Sequence, residues 1–373
     1  MIRVLQVFAK MDRGGSETMI MNYYRFIDRT KIQFDFVVHT IKRCAYDEEI
    51  EQLGGQIFHL PRFKGYNYFQ YKKAWKHFFE ANPEYKIIHI HFFTIAGAIL
   101  PTAKKNNIPI RIVHSHIVDP KYSIISRIGN IILRYKAIKN ATDYIACSDA
   151  AGRYYFDNLP FSVVKNAIDA HQFCFNHETR DKLRNELNVS NKFVVGHIGR
   201  FCDQKNHFFI IDVFFEVNKI EKNSILLLVG DGPLKKSIME KCDQLGLRDK
   251  VIFAGIRADI PELLQAMDVF IFPSLWEGLG IVAIEAQAAG LHTIVSDKVP
   301  KEVHITSLVN RISLEIPLNI WAEKIIQYNN NYKRENTINE ICKAGYDIKN
   351  NAFNLENFYI KRIAEYNTKI YKL

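Results

Sequence analysis

From end to end the chain alternates short apolar runs with longer stretches whose apolar residues recur every three to four positions. The first pattern predicts strands and the second amphipathic helices. Early on, strands are predicted at 4–8, 34–38, 56–60, 87–91, 110–114, 144–147 and 163–164, with helices at 16–27, 68–80, 95–105, 124–139 and 150–157. A polar, irregular passage follows at 165–181. The alternation then resumes, with strands at 193–198, 225–229, 251–253, 269–272 and 293–295, helices at 206–218, 234–245, 260–266 and 281–289, and a helical tail over 317–373.

Strands separated by helices of this length imply βαβ units and mostly parallel sheets. The expected fold class is α/β, with two Rossmann-like, doubly wound domains at 1–170 and 171–355 and a last helix, about 356–373, packing back on the first. At 373 residues the chain is too long for one ordinary core. Ligands of doubly wound sheets bind beyond the carboxyl ends of the strands, so two facing domains would enclose a ligand in a cleft.

Composition narrows the class. With 48% apolar and 24% charged residues the chain reads as a soluble globular protein. Neither a secretory leader nor a membrane span is read from it; the longest stretch without Lys, Arg, Asp or Glu, 87–103, is broken by His89, His91 and Pro101. Six cysteines without a C-x-x-C pair argue for a reducing cytoplasm. Residues 1–170 hold 24 Lys/Arg against 15 Asp/Glu and so most of the net +10. A surplus placed this way suggests an anionic partner for the first domain.

Candidate chemistry collects where strands enter helices. Gly14-Gly15-Ser16-Glu17 opens a helix whose free N–H groups suit phosphate. In "GHIGRFCDQKNH", Arg200 leaves a strand and Lys205 stands at the start of the next helix, two cations suited to a diphosphate. "LLLVGDGPLKKSI" brings Gly230, Asp231 and Gly232 to the same sheet edge. In "PSLWEGLGIVAIEAQAAG", Gly280 and Ile281 form a second phosphate-binding helix end, flanked by Glu277 and Glu285. A carboxylate beside a diphosphate is useful if it accepts hydrogen bonds from hydroxyls, and a nucleotide sugar has hydroxyls on both sides of its diphosphate. The bland alternative pairs Glu285 with a buried Lys or Arg and leaves Glu277 to the helix dipole.

Taken in order, Arg200 with Lys205, "VGDGP" and the E-x7-E of Glu277 and Glu285 resemble the retaining glycosyltransferases of the GT-B fold, family GT4. "RIVHSH" with "ATDYIACSDAAGRY" is similar to the branch that builds bacterial exopolysaccharide and capsule. The resemblance implies that Arg200 and Lys205 hold the donor diphosphate, Glu285 the ribose and Glu277 the donor sugar. It further implies Gly15 near the β-phosphate, the backbone near Arg257 near the base, and a catalytic histidine in His114-Ser115-His116, with His116 preferred as nearer the cleft. Ala167 departs from the glycine usual there.

The expected reaction is retaining and metal-independent: a front-face transfer of sugar from a nucleotide sugar, UDP-linked for preference, to a polyprenyl-linked saccharide. No D-x-D pair is present to hold a metal, and no cofactor is implied beyond the donor. His89, His91, His114 and His116 form a rival metal reading. A nucleotide-sugar epimerase and a non-catalytic membrane-associated partner of a polysaccharide machine stay open as alternatives. Lys72, Lys73 and Lys76, among Tyr68, Trp75, Phe78 and Phe79, and Arg127, Arg134, Lys136 and Lys139 suggest docking on anionic lipid at the inner face of the plasma membrane rather than on nucleic acid.

Overall fold

The structure, a computed structural model, describes residues 1–116, 124–329 and 333–370. It divides into two compact units, Met1–Ile168 with Asp347–Leu373, and Asp169–Tyr346. In the first, β1 (Ile2–Val7), β2 (Ile32–Val38), β3 (Ile57–His59), β4 (Ile87–Ile90), β5 (Ile110–Ser115), β6 (Asp143–Ala146) and β7 (Ser162–Val163) form a parallel sheet in the order β3-β2-β1-β4-β5-β6-β7. In the second, β8 (Phe193–Ile198), β9 (Ser224–Val229), β10 (Val251–Gly255), β11 (Val269–Phe272), β12 (His292–Ser296) and β13 (Val309–Ile312) follow the order β10-β9-β8-β11-β12-β13.

Both orders reverse once, between β1 and β4 and between β8 and β11. At such a point the connections leave in opposite directions and open a crevice at the carboxyl edge. Every residue of β2 and of β9 is buried, as strands covered on both faces require. Leu5, Val7, Ile88 and Ile90 pack with Tyr71 and Trp75 on one face of the first sheet. Val4, Phe34, Phe36 and Ile87 pack with Tyr23, Tyr24 and Tyr359 on the other. Each large apolar side chain so removed from water contributes about 1.5–3 kcal/mol.

The chain returns to the first unit at Asp347, earlier than the 356 that the sequence suggests, and runs on as the helix Ile348–Ile370. This helix is part of the unit's core. Leu355 and Tyr359 are buried, Glu356 meets Lys31 Nζ at 3.0 Å, and Arg362 Nε lies 2.8 Å from Asp143 Oδ1.

The passage read as irregular holds the helix Ala170–Phe173 and runs into the helix His177–Glu186, whose buried residues are Leu183 and Arg184. With so narrow an apolar face it has no period to read, but Asn176 caps it, accepting from Thr179 N at 2.8 Å. Ala167 needs no glycine, because its φ is not positive.

Candidate active site

In the second unit the site grows from the carboxyl ends of β8 and β11. Beyond β8, Gly199 and Arg200 lead to a short 3-10 turn, Asp203–Lys205, so Lys205 precedes the helix His207–Ile220 rather than starting it. The loop after β9 locks this backbone in place: Phe201 N donates to Asp231 O and Leu234 N to Phe201 O. That approach is why glycines flank Asp231. A Cβ on Gly230, at φ +134, would lie 2.1 Å from Gly199 O, and one on Gly232 would lie 2.4 Å from Phe201 O. Arg200 is thus fixed in backbone and exposed in side chain, with no hydrogen-bond or ion partner among the described residues.

Lys205 and Glu277, assigned separate tasks by the sequence, form an ion pair of 2.6 Å, with side chains only 16% and 7% exposed. Gln204 Nε2 also donates to Glu277 Oε2, at 3.2 Å, and to Trp276 O, at 2.9 Å. The Lys205 ammonium lies 4.6 Å from the Phe272 ring centroid. Lys205 and Gln204 therefore orient the Glu277 carboxylate.

Gly280, at φ +91, turns the chain into the helix Ile281–Ala288, whose amino end has no side-chain cap. Glu285 lies one turn further on, 8% exposed, and burial pushes its carboxyl up to about 7. Neither a cation nor a hydrogen-bond donor meets that carboxylate among the described residues, so the buried Lys or Arg of the bland reading is not there. Side chains on a helix tilt towards its amino end, which carries this carboxylate back towards Ile281. Asp231 is engaged locally, with Lys235 Nζ at 2.9 Å and Gly232 N at 2.6 Å. Arg257 is paired with Asp259 at 2.5 Å.

In the first unit Gly14 caps the helix Gly15–Phe26 without a side-chain hydrogen bond, and the space around Gly15 is open. The sequence missed the part played by Glu17. Its carboxylate folds back beside Gly14, where an added Cβ would lie 2.5 Å from Oε2, and accepts from Ser16 Oγ at 2.7 Å. Burial raises its pKa. An acid in a first helical turn was the available signal.

His116 follows β5 directly. Its Nε2 is 2.9 Å from His91 Nδ1, and its ring stacks on His114 with centroids 3.9 Å apart. Burial lowers the pKa of all four histidines, His116 to about 3. Nitrogens of His89, His91 and His114 lie within 4.8 Å of one another, close enough to suggest a metal. The rings, however, stack: His89 on His91 at 4.2 Å and 26°, and on His114 at 5.2 Å and 14°. Two of those nitrogens face each other as hydrogen-bond partners, His89 Nε2 and His114 Nδ1 at 3.2 Å. Hydrogen bonds already use these nitrogens, His89 Nδ1 with Tyr359 OH at 2.7 Å and His91 Nε2 with Gln6 Oε1 at 2.8 Å.

Of the aromatics set among Lys72, Lys73 and Lys76, the structure buries Trp75, Phe78 and Phe79 as core. The exposed apolar groups are instead Tyr66, Phe69, Ile131, Ile132 and Tyr135, and Lys136 Nζ over Tyr68, 4.9 Å from its centroid, links the two helices. The side chain of Arg127 lies outside the described residues. No described helix is long and apolar enough to cross a membrane.

Residues 13–172 match Glycosyltransferase Family 4, and residues 179–344 match Glycosyl transferases group 1. EpsF of Bacillus subtilis (strain 168) is 35% identical over 368 residues, covering 96% of each chain. The UDP-Gal:alpha-D-GlcNAc-diphosphoundecaprenol alpha-1,3-galactosyltransferase of Escherichia coli is 33% identical over 147 residues, 38% of each chain. Among solved structures, HepE of Anabaena in complex with UDP-glucose superposes with a TM-score of 0.75 at 19% identity, over the whole of both chains.

Proposed function

Because the chain belongs to glycosyltransferase family 4, with the GT-B fold, we propose that it moves a sugar from a UDP-sugar to a hydroxyl of a polyprenyl-linked saccharide, with retention and without a metal. That it is a glycosyltransferase of polysaccharide or glycan synthesis is the premise; donor, acceptor and stereochemistry are our reading. One observation carries that reading. An exposed Arg200 and a buried Glu285, both without a partner among the described residues, lie with the Lys205–Glu277 pair on the segments that follow β8 and β11, where Gly280 opens an uncapped helix end.

In this reading Arg200, Lys205 and the N–H groups at Gly280 and Ile281 take the diphosphate, as cations and a helix amino end favour. Glu285 accepts from the ribose hydroxyls. Glu277 accepts from the donor sugar, and it can keep Lys205 while doing so because an ionised carboxylate offers about four lone-pair sites. The acceptor hydroxyl attacks on the face from which the nucleotide leaves, and the departing phosphate helps to take its proton. Catalysis then rests on stabilising the departing diphosphate. Of the first unit, Gly15, with room around it, would meet a phosphate and His116 a sugar hydroxyl; of the second, the backbone near Arg257 and Asp231 would border the nucleoside.

The UDP-sugar choice is supported by HepE, solved with UDP-glucose, and the polyprenyl acceptor by the Escherichia coli relative, whose own acceptor is diphosphoundecaprenol-linked. The basic, partly apolar surface of helices Tyr68–Ala81 and Ile124–Asn140 fits peripheral docking on anionic lipid, where such an acceptor lies.

The test is turnover of UDP-sugars with a short-chain polyprenyl-diphosphate saccharide in the presence of EDTA, with the product anomer read by NMR. An α-linked product from an α-linked donor, formed at the same rate with EDTA, is expected. An inverted product, Mg²⁺-dependent activity or epimerised free nucleotide sugar would each overturn the corresponding part.

A further inference from the structure

Three hydrogen bonds of Gln204 run from the segment after β8 to the segment after β11. Its main-chain oxygen accepts from Leu275 N at 2.8 Å. Its side-chain Nε2 donates to Trp276 O at 2.9 Å and to Glu277 Oε2 at 3.2 Å. A primary amide nitrogen carries two protons, so these two bonds leave none for a ligand. They also fix which way the amide points. A main-chain carbonyl and an ionised carboxylate only accept, and the amide oxygen turned towards them would face two acceptors.

Gln204 gives Glu277 something that Lys205 does not. The Lys205 ammonium meets Oε1 at 2.6 Å. It is a point charge on a flexible stem, able to follow Oε1 as the carboxylate turns. The last torsion of a glutamate is broad, so rotamer preference does not hold the plane either. Among the described residues the partner of Oε2 is Gln204, and with one donor on each oxygen the plane is set. A carboxylate offers about four lone-pair sites, which leaves about one on each oxygen for a ligand.

We propose that Gln204 is a positioning residue for Glu277 and through it a determinant of donor-sugar recognition: its amide fixes the carboxylate plane in which the remaining lone pairs meet hydroxyls of the transferred sugar. The functional half rests on the proposed reading of Glu277 as the group that accepts from the donor sugar; the plane of the carboxylate does not. Because neither amide proton is left over, Gln204 acts on the sugar through Glu277 alone, and the nucleotide is indifferent to it.

The test joins crystallography and calorimetry on the full chain. In the wild type the Glu277 carboxylate should keep one orientation, bonded to Gln204 and Lys205. In Gln204→Met, which keeps the side-chain length and removes the donors, it should rotate or take two conformers. UDP should bind this variant as it binds the wild type. Whichever of UDP-glucose, UDP-galactose and UDP-N-acetylglucosamine the wild type binds most tightly should lose roughly tenfold in affinity, the factor one hydrogen bond represents. Gln204→Glu, nearly the same in shape, sets a second carboxylate against Glu277 and should lose more; it gives the same readouts should the first variant fail to fold. In a Glu277→Ala background Gln204→Met should have no further effect on that UDP-sugar. A single, unchanged carboxylate orientation in the Gln204 variants overturns the proposal. So does an equal loss for UDP and the UDP-sugar, the mark of loop support alone, and so does an equal loss with and without Glu277. If Glu277→Ala binds the UDP-sugar as the wild type does, the reading of Glu277 falls and the functional half with it, while the crystal structures still decide the carboxylate plane.

Discussion

Glu285 is the residue whose setting is hardest to explain as architecture. Its carboxyl is pushed up to about 7 from 4.5, so between these values the folded protein holds a proton that the unfolded chain has released. Its contribution to stability is therefore favourable below pH 4.5 and is lost as pH rises through 7. Glu285→Gln should raise stability above pH 7 by up to about 3 kcal/mol for a shift of this size, and the gain should vanish near pH 4.5. Thermal scans across that range check the sign.

Arg200 and Lys205 part company in the same assay. Removing Lys205 leaves the buried Glu277 charge unpaired, a loss of about 3–5 kcal/mol, whereas Arg200 is exposed and has no ion partner among the described residues. Arg200→Ala should keep its melting temperature while losing roughly 10²–10³-fold in turnover, the scale of one oxyanion donor. Near-normal turnover would remove Arg200 from the site. The place of these residues beyond the end of β8 was legible because each sits in a spaced motif. Their pairing was not, because a chain gives no sign that Lys205 and Glu277, far apart in sequence, meet across β8 and β11.

At the scale of elements, strands were legible to within one or two residues wherever an apolar run was bounded by turn residues, as at β8 and β11. The helix His177–Glu186 escaped because its work is done by polar groups. Arg184 is 6% exposed and donates to Ala266 O at 2.7 Å, closing the carboxyl end of the helix Ile260–Ala266. β13, four residues long, also went unread. The returning helix Ile348–Ile370 was foreseen in role but not in length. Its packing predicts that Leu355→Ala costs about 2–5 kcal/mol, as other buried leucines do, and a urea titration of the full chain measures it.

For the molecule as a whole, the two units share one acid weakness. His89, His91, His114 and His116 in the first, and His197 and His207 in the second, have pKa values lowered chiefly by burial, with His116 at about 3 and His207 at about 4. Below about 6.5 the unfolded chain takes up protons that these folded rings refuse. Stability should therefore be full above pH 6.5 and fall steadily as pH drops towards 4, with both units affected. A melting temperature flat from pH 7 to 5 would contradict the burial of these rings.

The central claim is a division of labour within the E-x7-E pair, and calorimetric titration of UDP and UDP-glucose into the wild type, Glu285→Ala and Glu277→Gln tests it most directly. Glu285→Ala should weaken both ligands by roughly 10- to 100-fold, as expected for a lost hydrogen bond to a charged group. Glu277→Gln should leave UDP binding unchanged or tighter, because Lys205 is freed for phosphate, while weakening UDP-glucose relative to UDP. Equal loss of UDP affinity in both variants would contradict the assignment.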